Sequence, residues 1–251
     1  MRDTKRIKAV IFDLDDTLIS WEKLAHMSWR EFNRPKYDRI HDLVTQWGHT
    51  LPPKEQFADV INELNRQSWE KALETGRAEG LAAVLLRGLA FCGVDTADLT
   101  PQPILEAYQW EPLPGVTPFP DAHAVLEAIQ AQGYKIGLIT NAYQPMWMRD
   151  NELAHYDLLR FFTARITSGD TGFLKPHPAV YWRMLGLLNL MPHEAIFVGD
   201  RPTHDIQGAH SVGMTAVLMA PPYLNHDLGG QTPDFTIASL SELLPILEQL
   251  G

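Results

Sequence analysis

The second half of the chain alternates strand-length apolar runs with helix-length segments, and this alternation limits the folds open to it. Three such runs occupy residues 135–139, 195–198 and 215–219. A continuous aliphatic run of this length is typical of a strand that is buried on both faces. Strands separated by helix-length segments form right-handed βαβ units and therefore a parallel sheet. We expect a doubly wound α/β fold, with further strands at 161–167 and 235–237.

An earlier apolar run, at residues 8–12, is followed by a long stretch with helical rather than strand periodicity. Within it, apolar residues recur at spacings of three and four, and prolines such as Pro35 are expected to separate the helices. The alternation of strand-length and helix-length segments begins only after residue 112. The sequence therefore predicts a Rossmann-like α/β core, residues 1–20 and 113–251, with an inserted all-helical cap domain, residues 21–112.

Composition excludes several classes of function. Hydrophobic residues form 45% of the 251 residues, which is enough for a large core. The net charge of −10 argues against binding a nucleic acid polymer. Cys92 is the only cysteine, so an internal disulfide is impossible. The short, charged segment 1–8 does not resemble a signal peptide, and no run reaches the length of a membrane span. We expect a soluble, cytoplasmic protein with no membrane partner.

Polar side chains follow the predicted strands at the points where they end. Asp13 and Asp15 come directly after the first run, and crowded carboxylates repel each other unless a cation or proton compensates. A solvated acidic turn explains this pair as well. Asp200 and Asp205 follow the run at 195–198, and an all-oxygen site suits Mg²⁺. Asp205 is equally suited to capping the next helix.

Two further segments offer groups that bind phosphate. Thr140 and Asn141 end the strand at 135–139, where hydroxyl and backbone N–H groups can hold phosphate oxygens. A plain turn explains them too. Lys175 lies in Lys-Pro-His-Pro before a predicted helix and is suited to neutralising phosphate charge, although an exposed lysine is the default for this residue type.

Taken in order, Asp-x-Asp-x-Thr, Thr-Asn, Lys-Pro-x-Pro and Gly-Asp-x4-Asp each close a different predicted strand. This ordered set resembles the four motifs of the haloacid dehalogenase superfamily. The resemblance covers most of residues 7–20 and 113–249, including the spacer Gly169-Asp170-Thr171-Gly172. The insertion matches only in position and helical character, which is typical of members with a helical cap between the first two motifs.

The resemblance implies a phosphatase mechanism. Asp13 would attack phosphorus to form an aspartyl phosphate, and Asp15 would act as general acid and then general base. Magnesium would be bound by Asp13, Asp200 and the backbone carbonyl of Asp15, with Asp205 supporting it.

The remaining site residues take supporting roles by the same resemblance. Thr140, the backbone at Asn141 and Lys175 would stabilise the transferring phosphoryl oxygens, and Thr17 would shape the loop. An acid at position 15 favours phosphoryl transfer, because the dehalogenase branch lacks one there and the phosphonate-cleaving branch usually has a small residue.

The expected substrate is a small phosphorylated metabolite. A phosphomutase of the same family and a catalytically silent binding protein remain as alternatives. Substrate choice in such proteins lies mainly in the cap, where loops at 33–37 and 47–53 are candidates to face the site. Core packing is the expected role of the cap tryptophans, with Trp21 as the exception because it lies where the chain leaves the first strand.

Overall fold

The computed structural model describes residues 7–24, 26–224 and 227–251. Residues 1–6, which belong to the predicted core and to its charged N-terminal segment, lie outside the described residues. Within the described residues the strands are β1 (Ala9–Phe12), β2 (Ile19–Ser20), β3 (Thr117–Pro118), β4 (Lys135–Thr140), β5 (Ala164–Thr167), β6 (Ala195–Gly199), β7 (Thr215–Met219) and β8 (Phe235–Ile237). The α-helices are α1 (Trp29–Gln46), α2 (Lys54–Thr75), α3 (Leu81–Phe91), α4 (Pro101–Tyr108), α5 (Ala122–Ala131), α6 (Met146–His155), α7 (Ser168–Thr171), α8 (Pro178–Leu188), α9 (Gln207–Val212) and α10 (Leu243–Leu250).

Six strands form one parallel sheet in the order β5-β4-β1-β6-β7-β8. Alternate residues along each strand enter different apolar clusters: Phe12 and Leu138 pack with α5, α6 and α10, whereas Ile11 and Phe197 pack with α8 and α9. Both faces of the sheet are therefore covered by helices, as the continuous apolar runs predicted. The predicted doubly wound α/β fold is confirmed.

The order of the strands decides which polar segments meet. Strand β1 lies between β4 and β6, and Phe12 is in register with Leu138 on one side and Val198 on the other. The carboxyl ends of these three strands therefore lie side by side at one edge of the sheet. Such an edge is where open α/β sheets place their ligands.

Helices α1 to α4 follow β2 and pack around an apolar cluster that includes Tyr37, Phe57, Leu85 and Tyr108, to which α6 contributes Met148. The short antiparallel pair of β2 and β3 joins the two points where the chain leaves and re-enters the sheet domain. Among the described residues, no helix combines the length and apolar character that a bilayer crossing requires.

Three local predictions are wrong. Pro35 does not end a helix but lies inside α1, so residues 33–37 are helical rather than a loop. Burial of Tyr37 and Ile40 in the cluster of α1 to α4 offsets the lost backbone hydrogen bond. Trp29 and Trp47 are 56% and 40% exposed, so neither is a core residue. The strand expected from residue 161 begins only at Ala164, after a 3₁₀ turn.

Candidate active site

The loop after β1 holds Asp13 and Asp15 on different sides. The backbone N–H of Asp13 donates to the Val198 carbonyl at 2.9 Å, which fixes Asp13 beside β6. Leu14 and Leu18 are fully buried and anchor the loop in the core. Asp16 adopts a left-handed φ of 59°, which aspartate tolerates better than most residues. The turn lets Asp13 face the sheet edge while Asp15 is directed towards α6.

Lys175 lies between two carboxylates. Its Nζ is 2.6 Å from Asp13 Oδ1 and 2.7 Å from Asp205 Oδ1, and its side chain is only 2% exposed. Burial opposes the charged ammonium, but the charges of Asp13 and Asp205 raise the pKa of Lys175 above its usual value. This lysine is therefore not the exposed residue that its type alone suggests.

Asn141 positions Lys175 through its side chain. The Asn141 Oδ1 accepts from the Lys175 backbone N–H at 2.8 Å, and its Nδ2 donates to the Lys175 carbonyl at 3.2 Å. The predicted role of Asn141 used only its backbone N–H. The side-chain contacts add a second task, which is to hold the segment after α7 against the end of β4.

Asp13, Asp200 and Asp205 form a buried acidic cluster in which one oxygen from each lies within 4.8 Å of the other two. Burial raises the pKa of Asp13 to about 6, although the Lys175 ammonium lowers it. Burial, with the charges of Asp13 and Asp205, raises the pKa of Asp200 to about 9. Asp200 Oδ1 has no hydrogen-bond partner among the described residues. Lys175 and Arg201, whose Nε lies 4.0 Å from Asp200 Oδ2, supply two positive charges against three carboxylates.

The donor set fits a hard divalent cation. All three groups are carboxylates, Asp200 retains a free oxygen, and their mutual repulsion is the charge that a cation would offset. The Asp205 carboxylate belongs to this cluster, and its Oδ2 also accepts from the Arg201 backbone N–H at 2.9 Å. It makes no capping hydrogen bond to the helix α9, which was the alternative role for Asp205.

The Asp15 carboxylate lies outside that cluster and is held by three donors. Arg149 Nη2 donates to Asp15 Oδ1 and Oδ2 at 2.8 and 3.0 Å. Trp21 Nε1 donates to Oδ1 at 2.8 Å, and the Thr140 hydroxyl donates to Oδ2 at 3.3 Å. Trp21 is thus in contact with the site, as its position in the sequence suggested. The side chain of Asp15 remains 32% exposed and is fixed in orientation.

Arg149 and Glu152 are site residues that the sequence analysis missed. Both lie on α6 and are buried, with Arg149 Nε 3.1 Å from Glu152 Oε2. Trp110 Nε1 donates to the same Glu152 oxygen at 3.2 Å. Burial raises the pKa of Glu152, while Arg149 lowers it. The available signal was that α6 directly follows Thr140 and Asn141, which places its first turns beside the site.

Thr17 is fully buried in the loop after β1. Its hydroxyl has no hydrogen-bond partner among the described residues. Its proposed task of shaping the loop therefore stays a prediction.

Comparison with known proteins places this geometry in a family. The model of the haloacid dehalogenase-like hydrolases matches residues 7–213. A glyceraldehyde 3-phosphate phosphatase of Pyrococcus furiosus is 27% identical over 98% of this chain and 95% of its own. The pyrophosphatase PpaX of Bacillus thuringiensis is 32% identical over 98% and 99% of the two chains. A crystal structure of a 2-haloacid dehalogenase from Pseudomonas syringae superposes with a TM-score of 0.63 at 26% identity, covering 98% of this chain and all of the other. The chain belongs to the haloacid dehalogenase-like hydrolases.

Proposed function

We propose that this protein is a phosphatase that cleaves phosphate monoesters through an aspartyl phosphate on Asp13. The observation that carries the proposal is the contact of Asp13 with Lys175, 2.6 Å apart, next to Asp200 and Asp205 at the edge of the sheet. Two relatives, a glyceraldehyde 3-phosphate phosphatase and a pyrophosphatase, support phosphoryl transfer over dehalogenation.

In this mechanism the Asp13 carboxylate attacks phosphorus and the bond to the leaving oxygen breaks, which replaces one difficult step with two easier ones. Asp15 in its protonated form gives its proton to the leaving oxygen, and the carboxylate so formed takes a proton from the water that hydrolyses the aspartyl phosphate. Lys175 and the Thr140 hydroxyl stabilise the charge on the transferring phosphoryl oxygens. Arg149 and Trp21 hold the Asp15 carboxylate in place through the contacts described above.

The proposed cofactor is Mg²⁺, held by Asp13, Asp200 and the backbone carbonyl of Asp15, with Asp205 supporting the site. When bound, the ion would offset the repulsion between the carboxylates and an anionic substrate. The unpaired Asp200 oxygen supports this assignment, as do the burial and the neighbouring carboxylates that raise the pKa of Asp200 to about 9, because a bound cation would offset the repulsion between these groups.

The proposed substrate is a small phosphorylated metabolite in the cytoplasm. We assign residues 1–20 and 113–251 to a catalytic core and 21–112 to a cap that closes over it. The apolar cluster of α1 to α4, which is formed almost entirely by residues of the proposed cap, supports this division.

Removal of divalent metal is expected to lower turnover by about 100-fold or more, because a bound cation contributes several kcal/mol of charge stabilisation. The assay measures phosphate release from a chromogenic aryl phosphate and from a panel of sugar, nucleotide and organic-acid phosphates, with magnesium, with chelator, and with magnesium restored. Activity that persists in chelator would remove magnesium from the proposal. Absence of turnover on every compound would contradict the phosphatase assignment itself.

Magnesium is expected to stabilise the protein more at about pH 8 than at about pH 6. The pKa of Asp200 is raised to about 9 in the folded state, so the metal-free folded protein keeps a proton that the unfolded chain releases above about pH 4. Metal-free stability therefore falls as the pH rises towards the folded pKa. Magnesium needs ionised carboxylates and displaces that proton, so its binding strengthens over the same range.

The measurement is the difference in Tm with and without magnesium at each pH. The Asp200→Asn variant is the control. Because asparagine does not titrate, this variant should lose most of the pH dependence of the magnesium-induced difference in Tm. A magnesium shift that is the same at both pH values in the wild-type protein would contradict the linkage.

A further inference from the structure

Lys36 is a buried cation on α1, within the helical insertion. The Lys36 residue as a whole is 5% exposed. The neighbouring Asn33 accepts from the Tyr108 hydroxyl at 3.2 Å, and that hydroxyl lies 3.3 Å from the hydroxyl of Tyr143, in the loop after β4. Asn33 is therefore linked, through Tyr108 of α4, to the segment that leads from Thr140 to Arg149.

No carboxylate pairs with Lys36 within the part of the chain that the structure describes. Its Nζ donates to the Phe32 carbonyl at 3.0 Å and lies 3.0 Å from the centroid of the Phe32 ring. The rings of Trp110 and Tyr108 follow at 5.5 and 5.8 Å. Aromatic faces stabilise an ammonium, but they do not neutralise it. Buried charges in proteins are normally paired, so this one lacks a counter-ion.

The pKa of Lys36 also indicates that its ammonium lacks a counter-ion. Burial lowers this pKa to about 7, and Arg39 adds to the effect whereas Glu111 opposes it. An anion beside the ammonium would reverse the shift. The other buried cation on this side of the site, Arg149, already contacts Asp15 and Glu152 and so has no such deficit.

Aromatic side chains connect Lys36 to the proposed general acid in a closed circuit of contacts. The circuit starts at Asp15, where Trp21 Nε1 donates to the carboxylate, and returns to it through Arg149. Between these ends, the rings contact one another in the order Trp21, Trp29, Phe32 and Trp110, with successive ring centroids 5.5, 5.4 and 5.6 Å apart. The Trp110 ring centroid in turn lies 5.2 Å from the Arg149 guanidinium carbon. Asp15 would protonate the leaving oxygen, so these rings and Lys36 lie on the leaving-group side of the site.

We propose that Lys36 binds a second anionic group, a carboxylate or a phosphate, on the leaving group of the substrate, with the aromatic circuit enclosing the carbon chain between the two ends. The inference rests on the proposed phosphatase function and narrows its substrate class to phosphomonoesters with a distal anion. A distal anion supplies the missing counter-ion to an ammonium whose residue is itself 5% exposed.

The test compares substrates that differ only in the distal group. The pairs are 3-phosphoglycerate against glycerol 3-phosphate, 6-phosphogluconate against glucitol 6-phosphate, and glucitol 1,6-bisphosphate against glucitol 6-phosphate. The first two pairs test a carboxylate at two chain lengths, and the third tests a phosphate. Each is measured as kcat/KM for the wild-type protein, for Lys36→Met and for Lys54→Met. Lys54 is an exposed lysine of the same helical insertion, paired with Asp42, and controls for the loss of one positive charge.

We expect the wild-type protein to prefer the anionic member of at least one pair, and Lys36→Met to reduce that preference by about 10- to 100-fold, chiefly through KM. Lys54→Met should leave the preference within about twofold, since exposed pairs contribute little. Lys36→Met should also keep its Tm, because replacing an unpaired buried cation with an apolar chain of similar length removes an unfavourable charge. Unchanged preference in all pairs, or an equal change in Lys54→Met, would overturn the inference, and a lower Tm alone would assign Lys36 a structural role.

The two proposals fail in different ways. If the aryl phosphate is turned over but no pair responds to Lys36→Met, the phosphatase assignment stands and the Lys36 assignment falls. If nothing is turned over, the phosphatase assignment falls, and calorimetric titration of 6-phosphogluconate into the wild-type protein and the same two variants decides on Lys36. Binding weakened in Lys36→Met and retained in Lys54→Met supports it, and equal binding in all three proteins overturns it.

Discussion

Replacement of Asp13 by asparagine is expected to lower phosphate release by about 10⁴- to 10⁶-fold, which is the range found when a catalytic nucleophile is removed. The amide has nearly the shape of the carboxylate but neither its charge nor its nucleophilicity. The fold should survive the change, because Lys175 keeps Asp205 as a partner at 2.7 Å and the crowding of three buried carboxylates is relieved. We expect the Tm of the variant to stay close to that of the wild-type protein.

Two controls make the result specific to Asp13. Asp157→Asn removes an aspartate of the same domain that is exposed and pairs with Arg160, and it should keep full activity. Borohydride reduction during turnover converts an aspartyl phosphate to homoserine, so peptide mass spectrometry should find homoserine at position 13 in the wild-type protein and none in Asp13→Asn. Activity that survives in Asp13→Asn, or homoserine at another aspartate, would remove Asp13 as the nucleophile.

The arrangement of the sheet edge is the part of the molecule that the sequence predicts best. Continuous apolar runs mark β1, β4 and β6, and polar residues follow each of them directly. Because parallel strands end at the same edge, Asp13, Thr140 and Asp200 had to lie near one another once the strands were adjacent. The proximity of these three residues follows from the local sequence pattern and from one topological rule. Neither requires knowledge of side-chain packing.

Arg149, Glu152 and Lys36 could not be found in this way. Each is a polar residue in a helix, and periodicity assigns polar helical positions to solvent by default. Burial of Arg149 and Glu152 depends on contacts between the two parts of the chain, such as those with Trp110, and burial of Lys36 depends on packing against Phe32, Tyr108 and Trp110, so both are properties of tertiary packing. Lys36 was also obscured by Pro35, which predicts a loop from local propensity, whereas packing of Tyr37 and Ile40 keeps the segment helical.

Lys175 is the residue whose removal should affect stability most. Its ammonium is 2% exposed and is the counter-charge of Asp13 and Asp205, at 2.6 and 2.7 Å. Loss of one partner of a buried ion pair typically costs about 3–5 kcal/mol, because the other charge is left without compensation. We expect Lys175→Met to lose free energy of unfolding in this range at neutral pH, as measured by urea denaturation. Turnover should fall by about 10²- to 10³-fold, since a donor to the phosphoryl oxygens is also removed.

Two measurements distinguish loss of the buried counter-charge from poor packing of the methionine. They are the pH dependence of the stability deficit and its relief by a second substitution. Lys175 lowers the pKa of Asp13, so its removal moves that pKa further above the ordinary value. Carboxyl groups with raised folded pKa values destabilise the protein increasingly as the pH rises above about 4, so the deficit of Lys175→Met should be small at about pH 5 and large at about pH 8. The double variant Lys175→Met/Asp205→Asn removes one of the stranded charges and should recover part of the loss. Lys54→Met, which breaks an exposed pair with Asp42, should change stability by less than about 1 kcal/mol. A deficit that does not vary with pH, and that Asp205→Asn does not relieve, would mean that methionine merely packs badly and that Lys175 is not the charge on which the acidic cluster depends.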